Sequence, residues 1–125
     1  MKFFLYYENQ LFINYLKDLI KNNNDECVEL SDYTNNNLIY RRHKPDWILI
    51  DLQLKDNSGF KVAEILKSDF PKAKIALLSN FDDERLKVQC NRIGAVFIPK
   101  EKIFDFYNMI NFPQKIDVES NFVEK

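Results

Sequence analysis

The chain has little of the residue types that several classes of functional site require. Among its 125 residues there are 2 glycines, 2 cysteines and 1 histidine. The glycines, Gly59 and Gly94, are isolated, so the chain has no Gly-rich loop of the kind that cradles a nucleotide phosphate. Cys27 and Cys90 lie far apart and match no metal-ligand spacing, which is typical of reduced thiols in a cytosolic protein. These shortages argue against a cofactor-binding domain, and the single His43, at a predicted helix end, argues against nucleophilic catalysis with a Ser–His or Cys–His pair.

An excess of charge of either sign is also missing. The chain has 18 Lys and Arg residues against 19 Asp and Glu residues. A near-neutral chain has no overall field that attracts nucleic acid or an anionic membrane, so we expect it to bind neither. The basic run from Arg41 to Lys44 lies at the C-terminal end of a predicted helix, where cations complement the helix dipole.

Long hydrophobic runs are absent as well. The apolar start from Phe3 to Tyr7 is interrupted by Glu8, so it predicts a strand and not a signal peptide. No segment has the apolar length needed to cross a bilayer. Together with the free cysteines, this predicts a cytoplasmic protein.

Short apolar runs that alternate with helical patterns are what the sequence does contain. The predicted strands are 3–7, 27–30, 47–52, 75–78 and 96–98. Apolar residues at helical spacing predict helices between them and after the last strand, namely 11–22, 38–43, 62–70, 83–93 and a closing helix from Ile103. This alternation predicts an α/β fold, a doubly wound five-stranded parallel sheet with helices on both faces. We predict one domain over 1–112 and a polar C-terminal tail over 113–125.

The third predicted strand carries the most informative residue of the chain. The run from Trp47 to Ile50 is apolar at every position and ends in Asp51. A strand of this kind is covered on both faces, and ligands of open parallel sheets bind beyond the carboxyl ends of the strands. Asp51 therefore stands where chemistry is expected, although a lone aspartate at a strand end is more often the start of a turn.

Three other polar residues are predicted at the same edge of the sheet. Glu8 follows the first strand, Ser79 the fourth and Lys100 the fifth. Two carboxylates, Glu8 and Asp51, suit a hard divalent cation such as Mg²⁺. An aspartate can also accept a phosphoryl group, and a hydroxyl and an ammonium can then donate to the new phosphoryl oxygens. Taken singly, Glu8 is equally explained as a helix-start acid, Ser79 as a cap and Lys100 as a solvated charge.

In this order, the motifs resemble those of the response-regulator receiver domains of two-component signalling, whose fold is flavodoxin-like. The resemblance covers roughly residues 2–111, and the matching segments are Tyr7-Glu8-Asn9, Pro45 to Asp51 with Gly59-Phe60, Leu78-Ser79, and Gly94-Ala95 through Phe97-Ile98-Pro99 to Lys100. It implies that Asp51 is the phosphoacceptor, that Ser79 is the switch hydroxyl and that Lys100 pairs with the phosphate. Phe97 is then the aromatic residue whose packing follows the switch. Glu8, Asp51 and the backbone carbonyl of Gln53 are the implied ligands of Mg²⁺.

The chain departs from the family pattern at several positions. Tyr7 stands where the first of two adjacent acids is usual, which removes one carboxylate and predicts weaker Mg²⁺ binding. Asn80 replaces a small residue after the switch hydroxyl, and Phe81 follows it. Glu101 follows Lys100 where many members have proline, and Gly94 lies one residue nearer to that lysine than usual.

The resemblance favours a phosphorylation-dependent signalling switch that acts through a partner and is not a turnover enzyme, although it assists its own phosphorylation and dephosphorylation. The implied partners are a histidine kinase or phosphotransfer protein and an unknown output protein or a second copy of the chain. The expected output surface surrounds Leu86, Phe97, Ile103 and Phe104. The alternative, for which Tyr7 and Asn80 are the best support, is a pseudo-receiver that binds proteins constitutively without phosphorylation. The sequence is compatible with a stand-alone switch and with a piece of a longer regulator.

Overall fold

The residues that the structure describes form five strands and five helices in alternation. The structure is a computed structural model that describes residues 1–7, 10–30, 36–54 and 59–111. Strands β1 to β5 span Lys2–Tyr6, Glu26–Leu30, Trp47–Asp51, Ile75–Ser79 and Val96–Pro99. Helices α1 to α5 span Gln10–Asn22, Asn36–His43, Gly59–Asp69, Glu84–Ile93 and Ile103–Asn111, and a 3₁₀ turn, Lys100–Lys102, precedes α5.

The sheet is parallel throughout and has the strand order β2-β1-β3-β4-β5. This confirms the doubly wound five-stranded sheet that the sequence predicts. The order reverses at β1, which lies between β2 and β3. In open α/β sheets the crevice at such a reversal is the usual ligand position. The carboxyl end of β3, where Asp51 lies, forms one side of it.

Helices cover both faces of the sheet. On one face, α1 and α5 pack on the sheet through Leu16, Ile20 and Phe106, and on the other face, α3 and α4 pack through Leu66 and Cys90. All five residues of β3 are buried, as its unbroken apolar run predicts. Adjacent residues of one strand serve opposite faces because the side-chain period of a strand is two.

The buried face of α1 agrees only in part with its sequence pattern. Leu11 and Tyr15 belong to the apolar set at helical spacing, but their exposed fractions are 83% and 50%. The buried residues are Ile13, Leu16 and Ile20. The apolar residues of α1 form a broad stripe, and only the side of the stripe that contains Ile13, Leu16 and Ile20 is buried.

The predicted helix ends agree closely with the structure where their end signals are strong. Asp83 caps α4 by accepting a hydrogen bond from the backbone N–H of Arg85, and Gly94 ends this helix with a φ of 86°. A positive φ at this position favours glycine. The helices of the described ranges include none long and apolar enough to span a membrane. The predicted tail, 113–125, lies outside those ranges, so the boundary at 112 stays a prediction.

Candidate functional site

Asp51 lies at the carboxyl end of β3 and is almost completely buried, with an exposed fraction of 1%. Both oxygens of its carboxylate accept hydrogen bonds. Gln53 donates its backbone N–H to Oδ1 at 2.8 Å, and Lys100 donates from Nζ to Oδ2 at 2.8 Å. A buried carboxylate is tolerated only when it is paired and hydrogen-bonded in this way.

Lys100 reaches Asp51 because it directly follows the last residue of β5, Pro99. Strand β5 pairs with β4, and β4 pairs with β3, so the parallel sheet delivers both residues to one edge. The side chain of Lys100 is 10% exposed, and that of Asp51 is 2% exposed. The structure therefore brings together two of the predicted site residues as a buried ion pair.

Ser79 ends β4, next to Asp51 in the sheet, and it is fully buried. Its Oγ accepts a hydrogen bond from the backbone N–H of Phe81 at 3.0 Å. The strand alternation places Ser79 on the same face as Leu77, whose partner on β5 is Phe97. The predicted switch hydroxyl and the predicted switch aromatic thus lie on the α3/α4 face of the sheet.

Phe97 and Ile103, around which the output surface is predicted, are buried. Their exposed fractions are 0% and 3%, and Phe97 packs in the core cluster against α4. Leu86 is partly buried in the same cluster, whereas Phe104 is 49% exposed. Each of Phe97 and Ile103 lies on the inner side of its element, and the output surface around them stays a prediction.

Tyr7 extends away from the Asp51 carboxylate. Its hydroxyl donates a hydrogen bond to Oε1 of Glu29 on β2, and Lys17 of α1 contacts the other oxygen of Glu29 at 2.8 Å. The hydrogen bond to Glu29 is the main reason why the pKa of Tyr7 is raised. Glu8, the predicted metal ligand beside Tyr7, lies outside the described residues.

Gln53 links two loops at the edge of the sheet. Its backbone N–H binds Asp51, and its side-chain oxygen accepts a hydrogen bond from the backbone N–H of Asn80 at 3.3 Å. The loop that follows β3 is thereby joined to the loop that follows Ser79. The backbone carbonyl of Gln53 is the atom predicted to bind a metal.

Among the described residues of the predicted metal site, Asp51 is the one that carries a carboxylate. Within 1–7, 10–30, 36–54 and 59–111, no group of three or more His, Cys, Asp or Glu side chains is placed to hold a metal ion. An ion with Asp51, one further carboxylate, a carbonyl and waters nevertheless suits Mg²⁺, which usually keeps several waters. The oxygen atoms of Asp51 and Gln53 fit that chemistry, and Glu8 is the residue predicted to complete it.

Sequence reasoning missed the aromatic neighbour of Lys100. The ammonium of Lys100 lies 5.1 Å from the centroid of the Phe12 ring on α1. Phe12 belongs to the apolar pattern of α1 and carries no signal that separates it from a core residue. The contacts of Tyr7 with Glu29, and of Gln53 with Asn80, likewise join residues far apart in sequence that no motif connects.

Comparison with known proteins gives a consistent family. The family model described as "Response regulator receiver domain" matches residues 5–109. The chain is 39% identical over 56 residues to the uncharacterized transcriptional regulatory protein YxjL of Bacillus subtilis, a match that covers 45% of this chain and 26% of that protein. It is 34% identical over 62 residues to the polar-differentiation response regulator DivK of Brucella anthropi, which covers 50% of each.

The chain therefore spans about a quarter of the first relative and about half of the second. Among solved structures, the fold is similar to that of the BeF₃-activated N-terminal receiver domain of Klebsiella pneumoniae RstA, with a TM-score of 0.70 and 19% identity. The match covers 80% of this chain and 86% of that one. At this identity the likeness shows the fold alone.

Proposed function

Because the chain belongs to the response regulator receiver domain family, we propose that it is a phosphorylation-dependent switch of the two-component type, which accepts a phosphoryl group on Asp51. The observation that carries the proposal is the buried ion pair between Asp51 and Lys100 at the strand-order reversal of the sheet. Receiver domains are phosphoacceptors, so we propose that the chain acts as a switch and not as an enzyme that turns over a substrate.

The transfer itself requires little of the protein beyond position and charge. A carboxylate oxygen of Asp51 attacks the phosphorus of the donor, the new O–P bond forms, and the bond from phosphorus to the donor atom breaks. The partner implied by the family is a histidine kinase or a phosphotransfer protein, and the imidazole of its phosphohistidine would be the leaving group. The ammonium of Lys100 lies 2.8 Å from Asp51, so it is in reach of the negative charge that arrives.

Mg²⁺ is the cofactor that suits this site. We assign its binding to Glu8, the Asp51 carboxylate and the backbone carbonyl of Gln53, where it would neutralise charge on the transferred group. The assignment predicts weak binding, because Tyr7 replaces a carboxylate and its hydroxyl is bound to Glu29. Tyr7→Asp should tighten Mg²⁺ in a calorimetric titration, since the paired register of β1 and β3 continues toward positions 7 and 51. Unchanged affinity would contradict this assignment.

Output would pass through the β4–α4 loop to the surface formed by α4, β5 and α5. A phosphoryl group at Asp51 adds up to about two negative charges, which favour inward movement of the Ser79 hydroxyl. The exposed apolar residues of this region, Phe81, Val88 and Phe104, offer a surface for an output protein or a second copy of the chain. Switching of this kind suits a cytoplasmic signalling protein.

The decisive experiment is incubation with Mg²⁺ and a small acyl-phosphate donor, followed by intact-mass measurement. We expect one phosphoryl adduct on the wild type and none on Asp51→Asn. Asp46→Asn is the matched control, because Asp46 accepts a hydrogen bond from the N–H of Lys2 at the opposite edge of the sheet. Equal labelling of wild type and Asp51→Asn, or a wild type that no donor or kinase labels, would contradict the proposal. The second result would favour the pseudo-receiver.

The output step has its own test. Amide chemical shifts recorded with and without beryllofluoride should change at Ser79, in the β4–α4 loop and at Phe97. Changes confined to Asp51 and its immediate contacts would favour a constitutive interaction module.

A further inference from the structure

The ammonium of Lys100 has a second neighbour besides Asp51. The ring of Phe12, in the first turns of α1, lies with its centroid 5.1 Å from Nζ. Phe12 is partly buried and packs against the cluster formed by α1, α5 and the sheet. A residue from a helix outside the four strand ends therefore contacts the ion pair of the proposed site.

A cation within about 6 Å of an aromatic centroid is attracted by the negative face of the ring, and the attraction grows when the pair is removed from water. Lys100 is 10% exposed at its side chain, so it meets this condition. The attraction does not use an N–H hydrogen-bond direction, in contrast to the bond between Lys100 and Asp51. The ring can therefore hold the ammonium while its N–H groups change acceptor.

We propose that Phe12 is a positioning residue for Lys100. Its ring holds the ammonium at the Asp51 carboxylate and keeps it there when a phosphoryl oxygen becomes the new acceptor. A lysine side chain has four flexible bonds, so an attraction on a second side reduces the freedom that is lost when it binds the phosphoryl group. This role rests on the proposed function, but the contact with Lys100 exists in the unphosphorylated chain.

Graded fluorination separates electrostatics from packing. Phenylalanine with one, two or three ring fluorines can be placed at position 12 alone, which weakens the negative face of the ring with little change in its size. We expect the rate of Asp51 labelling by an acyl phosphate to fall stepwise, by about three- to tenfold over the series, as a weakening cation–π contact requires. Phe12→Tyr should retain most of the labelling rate, whereas Phe12→Leu, which has no aromatic ring, should label as slowly as the trifluorinated variant.

The same series at Phe3 is the matched control, because Phe3 is a buried ring that packs on Tyr107 at 5.6 Å between centroids. Fluorination at Phe3 should leave the labelling rate unchanged. An equal loss in both series would show a general effect of fluorine and would overturn the proposal. A flat series at Phe12, with a normally labelled wild type, would overturn it as well.

A second readout needs no phosphorylation. In the unphosphorylated protein, hydrogen exchange of the Lys100 ammonium, followed by its ¹⁵N signal, should become faster with each fluorine at position 12. If the wild type is never labelled but this gradient is present, the proposed function fails and the role of Phe12 in holding Lys100 stands. If the exchange rate is independent of fluorination, Phe12 does not position Lys100.

Discussion

Gly59, at the start of α3, lies so close to the backbone of Asp51 and Leu52 that a larger residue does not fit there. A Cβ at this position would lie 2.9 Å from the backbone oxygen of Asp51 and 2.9 Å from Cα of Leu52. Both atoms belong to the backbone and cannot turn aside, so Gly59 lets α3 start directly against the end of β3. The position of the Asp51 backbone therefore depends on the absence of a side chain at Gly59.

Gly59→Ala should therefore shift the backbone that carries Asp51. We expect the free energy of unfolding to fall by about 1–3 kcal/mol, as for an overpacked core, and the labelling of Asp51 to slow. Urea unfolding and intact-mass kinetics measure the two effects.

Gly94→Ala is the matched control for this change. The nearest atoms to its Cβ are 3.6 Å away, but its φ of 86° strains alanine, at a cost of about 1–2 kcal/mol. It should lose stability without slower labelling. A Gly59→Ala variant that is destabilised but labelled at the wild-type rate would contradict the coupling.

At the scale of elements, contacts to the side chain of Glu29 join the end of β1 and helix α1 to β2. Glu29 of β2 accepts from the hydroxyl of Tyr7 and from Nζ of Lys17. The hydrogen bond from Lys17 first, and that from Tyr7 second, lower the pKa of Glu29. The carboxylate form of Glu29 is thus favoured in the folded chain.

A carboxyl group with a lowered pKa contributes stability above its unfolded value, about 4.3 for Glu, and loses that contribution as the pH falls through the folded value. Glu29→Gln should therefore lower the midpoint of unfolding at pH 7, and the difference from wild type should shrink as the pH approaches 3. Thermal unfolding at several pH values measures this.

Glu26→Gln is a suitable comparison, since Glu26 lies on the same strand and its contact with Lys2 is a loose 3.9 Å. Its effect should be smaller at every pH. A Glu29→Gln difference that stays constant between pH 7 and pH 3 would show that the ionised form of Glu29 contributes nothing.

The elements were largely predictable from the sequence, and the contacts between them only in part. Strand β3 has a continuous apolar run and turn signals on both sides, so burial on two faces follows directly. The face of α1 was not predictable, because Leu11 and Ile13 are equally apolar and the sheet selects between them.

The site shows the same division. Asp51 ends β3 and Lys100 follows β5, so the parallel topology brings both to one edge of the sheet, and the order of the motifs points to both. The position of Phe12 over Lys100 depends instead on the packing angle of α1. No local pattern encodes that angle.

At the scale of the whole molecule, two core clusters share one sheet. Phe3 and Phe4 are neighbours in β1, yet they belong to opposite clusters. Neither face can lose its strands without exposing the other, so we expect the described domain to unfold as one cooperative unit.

Leu16→Ala and Leu66→Ala test this from opposite faces, because each leucine is fully buried in a different cluster. Each change should cost about 2–5 kcal/mol. Trp47, the only tryptophan, lies in the α1/α5 cluster and contacts Phe106 edge-on at 5.0 Å, so its fluorescence reports one face directly.

Far-UV circular dichroism reports both faces together. For each variant the two probes should give the same urea midpoint. If Leu66→Ala shifts the dichroism midpoint but leaves that of Trp47 fluorescence in place, the two faces unfold independently.

The hydrogen bond between Ser79 and Phe81 has a mechanical consequence. Since Oγ of Ser79 accepts from the N–H of Phe81, the hydroxyl still has its own proton to donate. Ser79 can therefore take a new acceptor without releasing Phe81, whose side chain is 65% exposed. We therefore expect that an inward movement of the buried Ser79 hydroxyl would move the backbone of Phe81 and, with it, the solvent-exposed ring. A partner protein bound to the Phe81 ring would then respond to the state of the buried site at the edge of the sheet without contacting that site.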